Sequence, residues 1–374
     1  TMSEGDLASK EDLASESDLA TIFPIATLRL PPSVVAAEGA LEFGIPLPED
    51  WCRNVRLLSL VDEAGSPIEA ALEVTALWAD GSIRWCLAHL RPDVAGDRER
   101  VLGICKRAAP AFSRESGRNG AFTADSARLV LTAPNFELQV TRNGPATLRL
   151  CDHDGHCRFS GRFLLHQGAK VHEAQITSAT HRTFLYQNRA MSYEVTLEGH
   201  WPVEPALDVR FECRLLVSPS GQRIDGELRI HNSEAALHPD GLWDLGDQHS
   251  LLFEELRLEL SEFALERASD LGHVQLAPDE AVQPIKQDMR LTQHGSGGPL
   301  WDSPNHRNAS GDLMPRFGGY TLELDGATSD GLRAQPLLVL QRDADPESGS
   351  LSVQIPEFWE QFPHSLLAGP DALS

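Results

Sequence analysis

Two polar, tryptophan-bearing stretches hold the residue types in this chain that can do chemistry. The first, HNSEAALHPDGLWDLGDQHS, places His231, His238, Trp243, Asp244, Asp247 and His249 within 20 residues, with Gly241 and Gly246 loosening the backbone. The second, GSGGPLWDSPNHRNASGD, supplies Trp301, Asp302, Asn305, His306, Arg307 and Asn308 behind a Gly-rich turn, and Arg316 and Tyr320 follow it. Both read as loops, and loops held by a rigid scaffold carry sites more often than strands do. Trp rings beside Asp, Asn, His and Arg suit sugars, because the flat apolar face stacks on a pyranose while planar polar groups bond its hydroxyls. The same residues also fit a structural role, with both Trp rings anchoring long loops onto sheets and the polar residues forming turns.

Two chemistries are open to such loops. A glycosidase needs two carboxylates across a cleft, and Asp244, Asp247 and Asp302 are available. Elimination on a uronate needs a base for the C5 proton and a cation or metal that neutralises the substrate carboxylate. His238, His306, Arg316 and Tyr320 are of the right type for that task. The chain has no G-x-S-x-G elbow, H-E-x-x-H pair or phosphate-cradling Walker loop, so serine hydrolase, zincin and P-loop readings have no support.

The elements that must carry these loops are strands. From Thr27 onward short apolar segments alternate with the turn signals PPS, EAGSP, ADGS, RNGP, DHDG, SPSGQ and LDGAT, a spacing that predicts an all-β architecture. Predicted strands include Arg56–Val61, Ile68–Leu77, Ile83–Leu90, Phe136–Thr141, Leu207–Val217, Ile224–Ile230 and Tyr320–Leu324. Helix signals are confined to Asp247–Glu255 and to Glu357–Leu367, where Pro363 interrupts. In LWADGSIRWCLAHL, Asp80-Gly81 marks a tight hairpin turn. Alternation there groups Ile83, Trp85, Leu87 and His89 on one face and Arg84, Cys86 and Ala88 on the other. Trp78 and Trp85 read as core, and Arg84 as a contact to a second domain or a partner. Of the six cysteines, Cys151 and Cys157 flank the turn in CDHDGHC, where free thiols, a hairpin disulfide and a soft metal site all fit.

A formal net charge of −23 argues against nucleic acid as partner. No apolar run is long enough for a membrane helix, so no membrane insertion is expected. Only four of the 32 basic residues are Lys; Arg grips carboxylates bidentately, which fits an anionic ligand. Residues 1–24 form an acidic tail built on the hexads EGDLAS, KEDLAS and ESDLAT, whose six-residue period gives no helical stripe and predicts disorder. A linker is expected over 108–124, which leaves a small unit at 25–107 and a larger β-sandwich domain at 125–374.

The segments LEFGIPLPED (41–50), RLLSLVDEAGSPIEA (56–70) and LWADGSIRWCLAHL (77–90) resemble the N-terminal RIFT-type β-barrel of the exo-rhamnogalacturonan lyases, polysaccharide lyase family 26 and its bacterial relatives. HPDGLWDLGDQHSLLF (238–253), GGPLWDSPNHRN (297–308), FGGYTLEL (317–324) and FWEQFPHSL (358–366) resemble that family's central β domain. The resemblance implies β-elimination on a uronate-containing polysaccharide or oligosaccharide, with a rhamnogalacturonan-like backbone as the nearest substrate. On that substrate class, the residue types make His238, Trp243, Asp244, Trp301 and Asn305 the expected substrate-binding residues and His306, Tyr320 and Arg316 the expected catalytic ones, with His306 or Tyr320 as acid or base and Arg316 offsetting the uronate charge. It leaves room for Ca²⁺ bridging protein and uronate. It also implies a helical toroid after the FW-x-x-FP segment, to be supplied by a further segment or another chain. A polysaccharide substrate points to a periplasmic or secreted location, whereas free cysteines point to the cytoplasm. The alternative is a non-catalytic carbohydrate-binding or scaffold protein that keeps only the β domains.

Overall fold

Period-two alternation of apolar and polar side chains, punctuated by Gly, Pro and Asp turns, gives each short segment one face to bury and so drives pairing into sheets. The computed structural model describes residues 23–28, 41–62, 64–90, 100–106, 120–152, 154–186, 189–203, 208–234, 237, 249–261, 272–297, 318–341, 350–369 and 373–374. Among these the chain is all β, every strand pair is antiparallel, and helix is limited to the 3-10 turn Val55–Leu57. No helix there is long and apolar enough to cross a membrane. The acidic tail up to residue 22 and most of the expected linker lie outside the described residues.

Three apolar cores organise the strands. The first lies between the sheet Phe23–Leu28, Arg100–Lys106, Leu58–Val61 and the sheet Leu41–Pro46, Ile83–Leu90, Ala70–Leu77, and is filled by Ile45, Leu60, Ile83, Cys86, Ala88, Leu90 and Ile104. The second lies in a sandwich. One layer is a seven-stranded sheet in which Cys157–Gln167 pairs with Thr147–Cys151, Lys170–Glu173 and Glu255–Ser261. The other is a five-stranded sheet running Gly144–Pro145, Gln175–Tyr186, Arg189–Pro202, Asp208–Val217, Ile224–Asn232. Leu131, Phe136, Tyr193, Val195, Trp201, Phe211 and Val217 meet between them. The third core, with Val274, Ile285, Leu291, Leu338, Phe358 and Leu366, joins two four-stranded sheets. Leu260 packs against both the second and the third core.

The hairpin Ala70–Leu77/Ile83–Leu90 forms as expected, with Gly81 at φ 84 and its N–H bonded to Trp78 O at 3.0 Å. Its facing differs from simple alternation. The register skips Thr75 on one strand and Arg84 on the other, and such a bulge exchanges the faces of all residues beyond it. Ile83, Cys86, Ala88 and Leu90 therefore fill the core, while Trp85 turns outward, 40 % exposed, and lays its ring over Gly44. Trp78 is half-buried and donates its indole N–H to Leu47 O at 3.0 Å; Arg84 covers the Trp78 ring at 4.8 Å.

Both expected helices are corrected. Residues 249–254 carry no helix, and Glu255 opens a strand that pairs along Cys157–Gln167. Around Glu357–Glu360 the chain turns and buries Phe358, and His364–Ala368 then pairs with Met289–Gln293. The ladder wins because it places Leu366 and Ala368 in the third core, which the helical pattern broken by Pro363 cannot do.

Candidate functional site

The expected substrate-binding residues His238, Trp243, Asp244, Trp301 and Asn305 lie outside the described residues, as do Asp247, Asp302, His306 and Arg316. The strand ends that launch their loops are described. Asn232 ends a strand of the five-stranded sheet and donates its side-chain N–H to His249 O at 2.8 Å, tying together the two ends of the segment 233–248. His294 N–H donates to Gly319 O at 2.9 Å and closes the segment 295–318 in the same way. Beside this second closure the fully buried Gln293 bonds Gly295 O, Leu332 O and the N–H of Ala334, fixing the platform below it.

Tyr320 begins the strand that follows the second loop. It is half-buried, and its ring lies across Gly331, where a Cβ would come within 2.3 Å of the ring. Burial and the negative charge of Glu280 push its phenol above the usual value.

Among the described residues, a concentrated set of charged side chains lies where the first unit docks on the five-stranded sheet. Glu42, Glu73 and His89 come from the outer face of the first unit's hairpin sheet, and Arg182, Glu194 and Arg214 from three neighbouring strands of the five-stranded sheet. Arg214 grips Glu42 bidentately, at 2.7 and 2.8 Å, and holds Glu194 through Nε at 2.6 Å. Arg182 takes the other side of Glu194 and reaches Glu73. His89, with no exposed surface, puts Nδ1 2.8 Å from Glu42 and Nε2 3.9 Å from Glu73, in electrostatic contact without the alignment of a good hydrogen bond. The Phe184 ring is sandwiched between the His89 imidazole, centroids 3.6 Å apart, and the Arg182 guanidinium at 4.6 Å.

The electrostatics follow from that geometry. Burial works to raise Glu42, but its contacts with His89 and Arg214 outweigh it and hold the carboxyl down at about 2. Glu194, 5 % exposed, is likewise lowered by Arg182 and Arg214 against the push of burial. An open pocket of about 260 Å³ adjoins the set, lined by Glu42, Arg214, Leu216, Arg223 and the first residues of strand Ile224–Asn232. Arg223 already holds Asp225 at 2.9 Å, so both guanidiniums lining the pocket have carboxylate partners. This arrangement joins two units; it is not poised for proton transfer.

Among the described residues, Asp152, Asp154 and His156 form a group that brings three ligand atoms within 4.8 Å of one another. They sit at a hairpin tip in the second unit. The Asp152 carboxylate accepts the N–H groups of Asp154 and His156 at 3.0 and 2.9 Å, and the imidazole is a soft donor where Ca²⁺ takes oxygen. The set does not fit Ca²⁺. The six cysteines form no disulfide, and Cys151 and Cys157 stand opposite each other across this hairpin.

No protein family matches the chain, and no curated protein is found to be its relative. The charged joint escapes a reading of the sequence because alternation places Glu194 and Arg214 on an outward face, and nothing local says that this face is covered. The available signal was His89, a lone imidazole between Ala88 and Leu90 in a strand with apolar neighbours on both sides.

Proposed function

We propose that the chain is the β platform of a polysaccharide-active protein that binds a uronate-containing polysaccharide and takes part in its β-elimination. In this reading Trp243 and Trp301 stack on sugar rings, and His238, Asp244 and Asn305 bond hydroxyls. Arg316 offsets the uronate carboxylate, His306 removes the C5 proton, and Tyr320 protonates the departing glycosidic oxygen. The observation that carries it is that the described residues flanking each Trp-bearing segment are bonded to each other, Asn232 to His249 and His294 to Gly319, so the two ends of each segment lie together beside a sheet. The raised phenol of Tyr320 stays protonated, which fits the acid role. The resemblance of several segments, in the same order, to exo-rhamnogalacturonan lyases, the hairpin segment 77–90 among them, suggests the substrate class.

The test is binding of uronate oligosaccharides by calorimetry, alongside the ultraviolet absorbance that an unsaturated uronate product generates. Trp243→Ala combined with Trp301→Ala is expected to abolish binding, and Tyr320→Phe to lower turnover about 10²-fold or more while leaving binding intact. Unchanged binding in the double Trp variant overturns the assignment. Binding without any absorbance change replaces the lyase by a non-catalytic carbohydrate-binding or scaffold protein.

A further inference from the structure

The hairpin between strands Thr147–Cys151 and Cys157–Gln167 carries two thiols in direct opposition. Its turn is a three-residue loop: Gly155 N–H bonds Asp152 O at 3.1 Å, Gly155 has φ 83, and Asp152 N–H bonds His156 O at 2.9 Å. The bond from Asp152 to His156 lies one step beyond the cysteines, so Cys151 and Cys157 form a non-hydrogen-bonded pair, the kind in which facing Cα atoms come closest, about 4.5 Å. Disulfides span Cα separations of about 4.4–6.8 Å, a range that takes in such a pair, which here sits next to a bulge that leaves Arg158 without a partner in the ladder. Leu150 points into the second core, which puts Cys151 and its partner on the opposite face, where a new bond displaces no core side chain. Cys157 is partly exposed and contacts Phe159 O at 3.2 Å, whereas Cys151 is 6 % exposed.

The geometry points to a reversible disulfide between Cys151 and Cys157, formed by exchange with a small-molecule disulfide such as oxidised glutathione. The Cys157 thiolate attacks one sulfur of the oxidant, breaks its S–S bond and releases the first small thiolate. A turn about its χ1 brings the mixed disulfide over Cys151. The Cys151 thiolate then attacks the Cys157 sulfur, forms the cross-strand bond and releases the second small thiolate. Two protein thiols are oxidised, one small disulfide is reduced to two thiols, and the two protons pass to the released thiolates. The other four cysteines are buried. Burial pushes the Cys86 thiol up to about 11 and the Cys213 thiol up to about 12, which keeps both out of exchange.

The sequence makes the test direct. Cleavage after Arg149 and Arg158 releases the peptide Leu150–Arg158, which holds both cysteines and no other. The folded protein is equilibrated in glutathione buffers of increasing oxidising strength, alkylated, digested and weighed. In oxidising buffer this peptide is expected to lose both alkyl labels and two hydrogens, and to regain the labels after reduction. The peptides of Cys52, Cys86, Cys105 and Cys213 are expected to stay reduced throughout. Cys151→Ser is expected to leave Cys157 carrying glutathione, since attack at the exposed sulfur then has no resolving partner. Full alkylation of both cysteines in the most oxidising buffer, glutathione on both at once, or a link from either to a different cysteine each overturns the proposal.

Discussion

The two joints between units are built on different physics. The first unit meets the five-stranded sheet through a small apolar contact of Ala71, Phe184, Met191 and Leu216, surrounded by the carboxylate–guanidinium set on Glu42, Glu73, Glu194, Arg182 and Arg214. The second and third cores share Leu260, whose N–H and carbonyl bond the carbonyl and N–H of Leu373 at 2.7 and 3.0 Å. Charged joints fix orientation, since a bidentate Arg tolerates little displacement, but they contribute modestly because desolvation offsets attraction. Apolar joints depend little on pH or salt. The first unit should thus respond to solution conditions that leave the other two units together.

The largest break of this contrast is Arg214→Ala, which leaves Glu42 without its guanidinium and Glu194 with Arg182 alone in a poorly hydrated site. It is expected to weaken the first joint by about 3–5 kcal/mol. Calorimetry should resolve a separate low-temperature transition for the first unit, with proteolysis opening between residues 106 and 120. A single unchanged transition would show that the ionic set does not hold the joint.

Acid acts next. Glu42 is lowered in the folded state, so its stabilisation is complete above its unfolded value of 4.5 and is lost as pH falls toward about 2. At 1.36 kcal/mol per pKa unit the loss is about 3 kcal/mol. The first-unit transition should move down over that window, and a Glu42→Gln variant should lack that part of the dependence.

Leu260→Ala tests the apolar joint. It removes a partly buried side chain from two cores at once and is expected to cost about 1–2 kcal/mol, with no dependence on salt. Glu73→Gln touches a more exposed pair with Arg182 and should cost about 0.2–1 kcal/mol, a difference that vanishes at about 1 M salt. Trp85→Ala, beyond the docked end of the same sheet face, should change the joint by less than about 0.5 kcal/mol. A larger effect would mean that the exposed indole takes part in docking.

Much of the fold was legible because its signals are local. Asp80-Gly81 and Asp154-Gly155 each predict a hairpin, and both turns form with the Gly left-handed and the same pair of backbone bonds. Segments such as Phe136–Thr141 and Tyr320–Leu324 were readable from alternation alone. Leu41–Pro46, Arg100–Lys106 and His364–Ala368 were not, since LEFGIP carries Gly and Pro, and the other two owe their strand state to partners far along the chain. The outward turn of Trp85 was hidden because a bulge inverts facing without leaving a mark in composition. Of the expected site, Tyr320 alone falls on described residues, where the structure adds its seat across Gly331 and an upward push on its phenol from burial and Glu280.

By itself the sequence determined the all-β class, the hairpin turns and the acidic balance, because alternation, left-handed Gly and charge are properties of neighbouring residues. Only the tertiary structure decided which outer strand faces are covered. Glu42 and Arg214 are 172 residues apart, and each sits on a face that alternation assigns to water. Docking one sheet on the other removes that water, and this turns surface charges into a partly buried, paired set that no local pattern could announce.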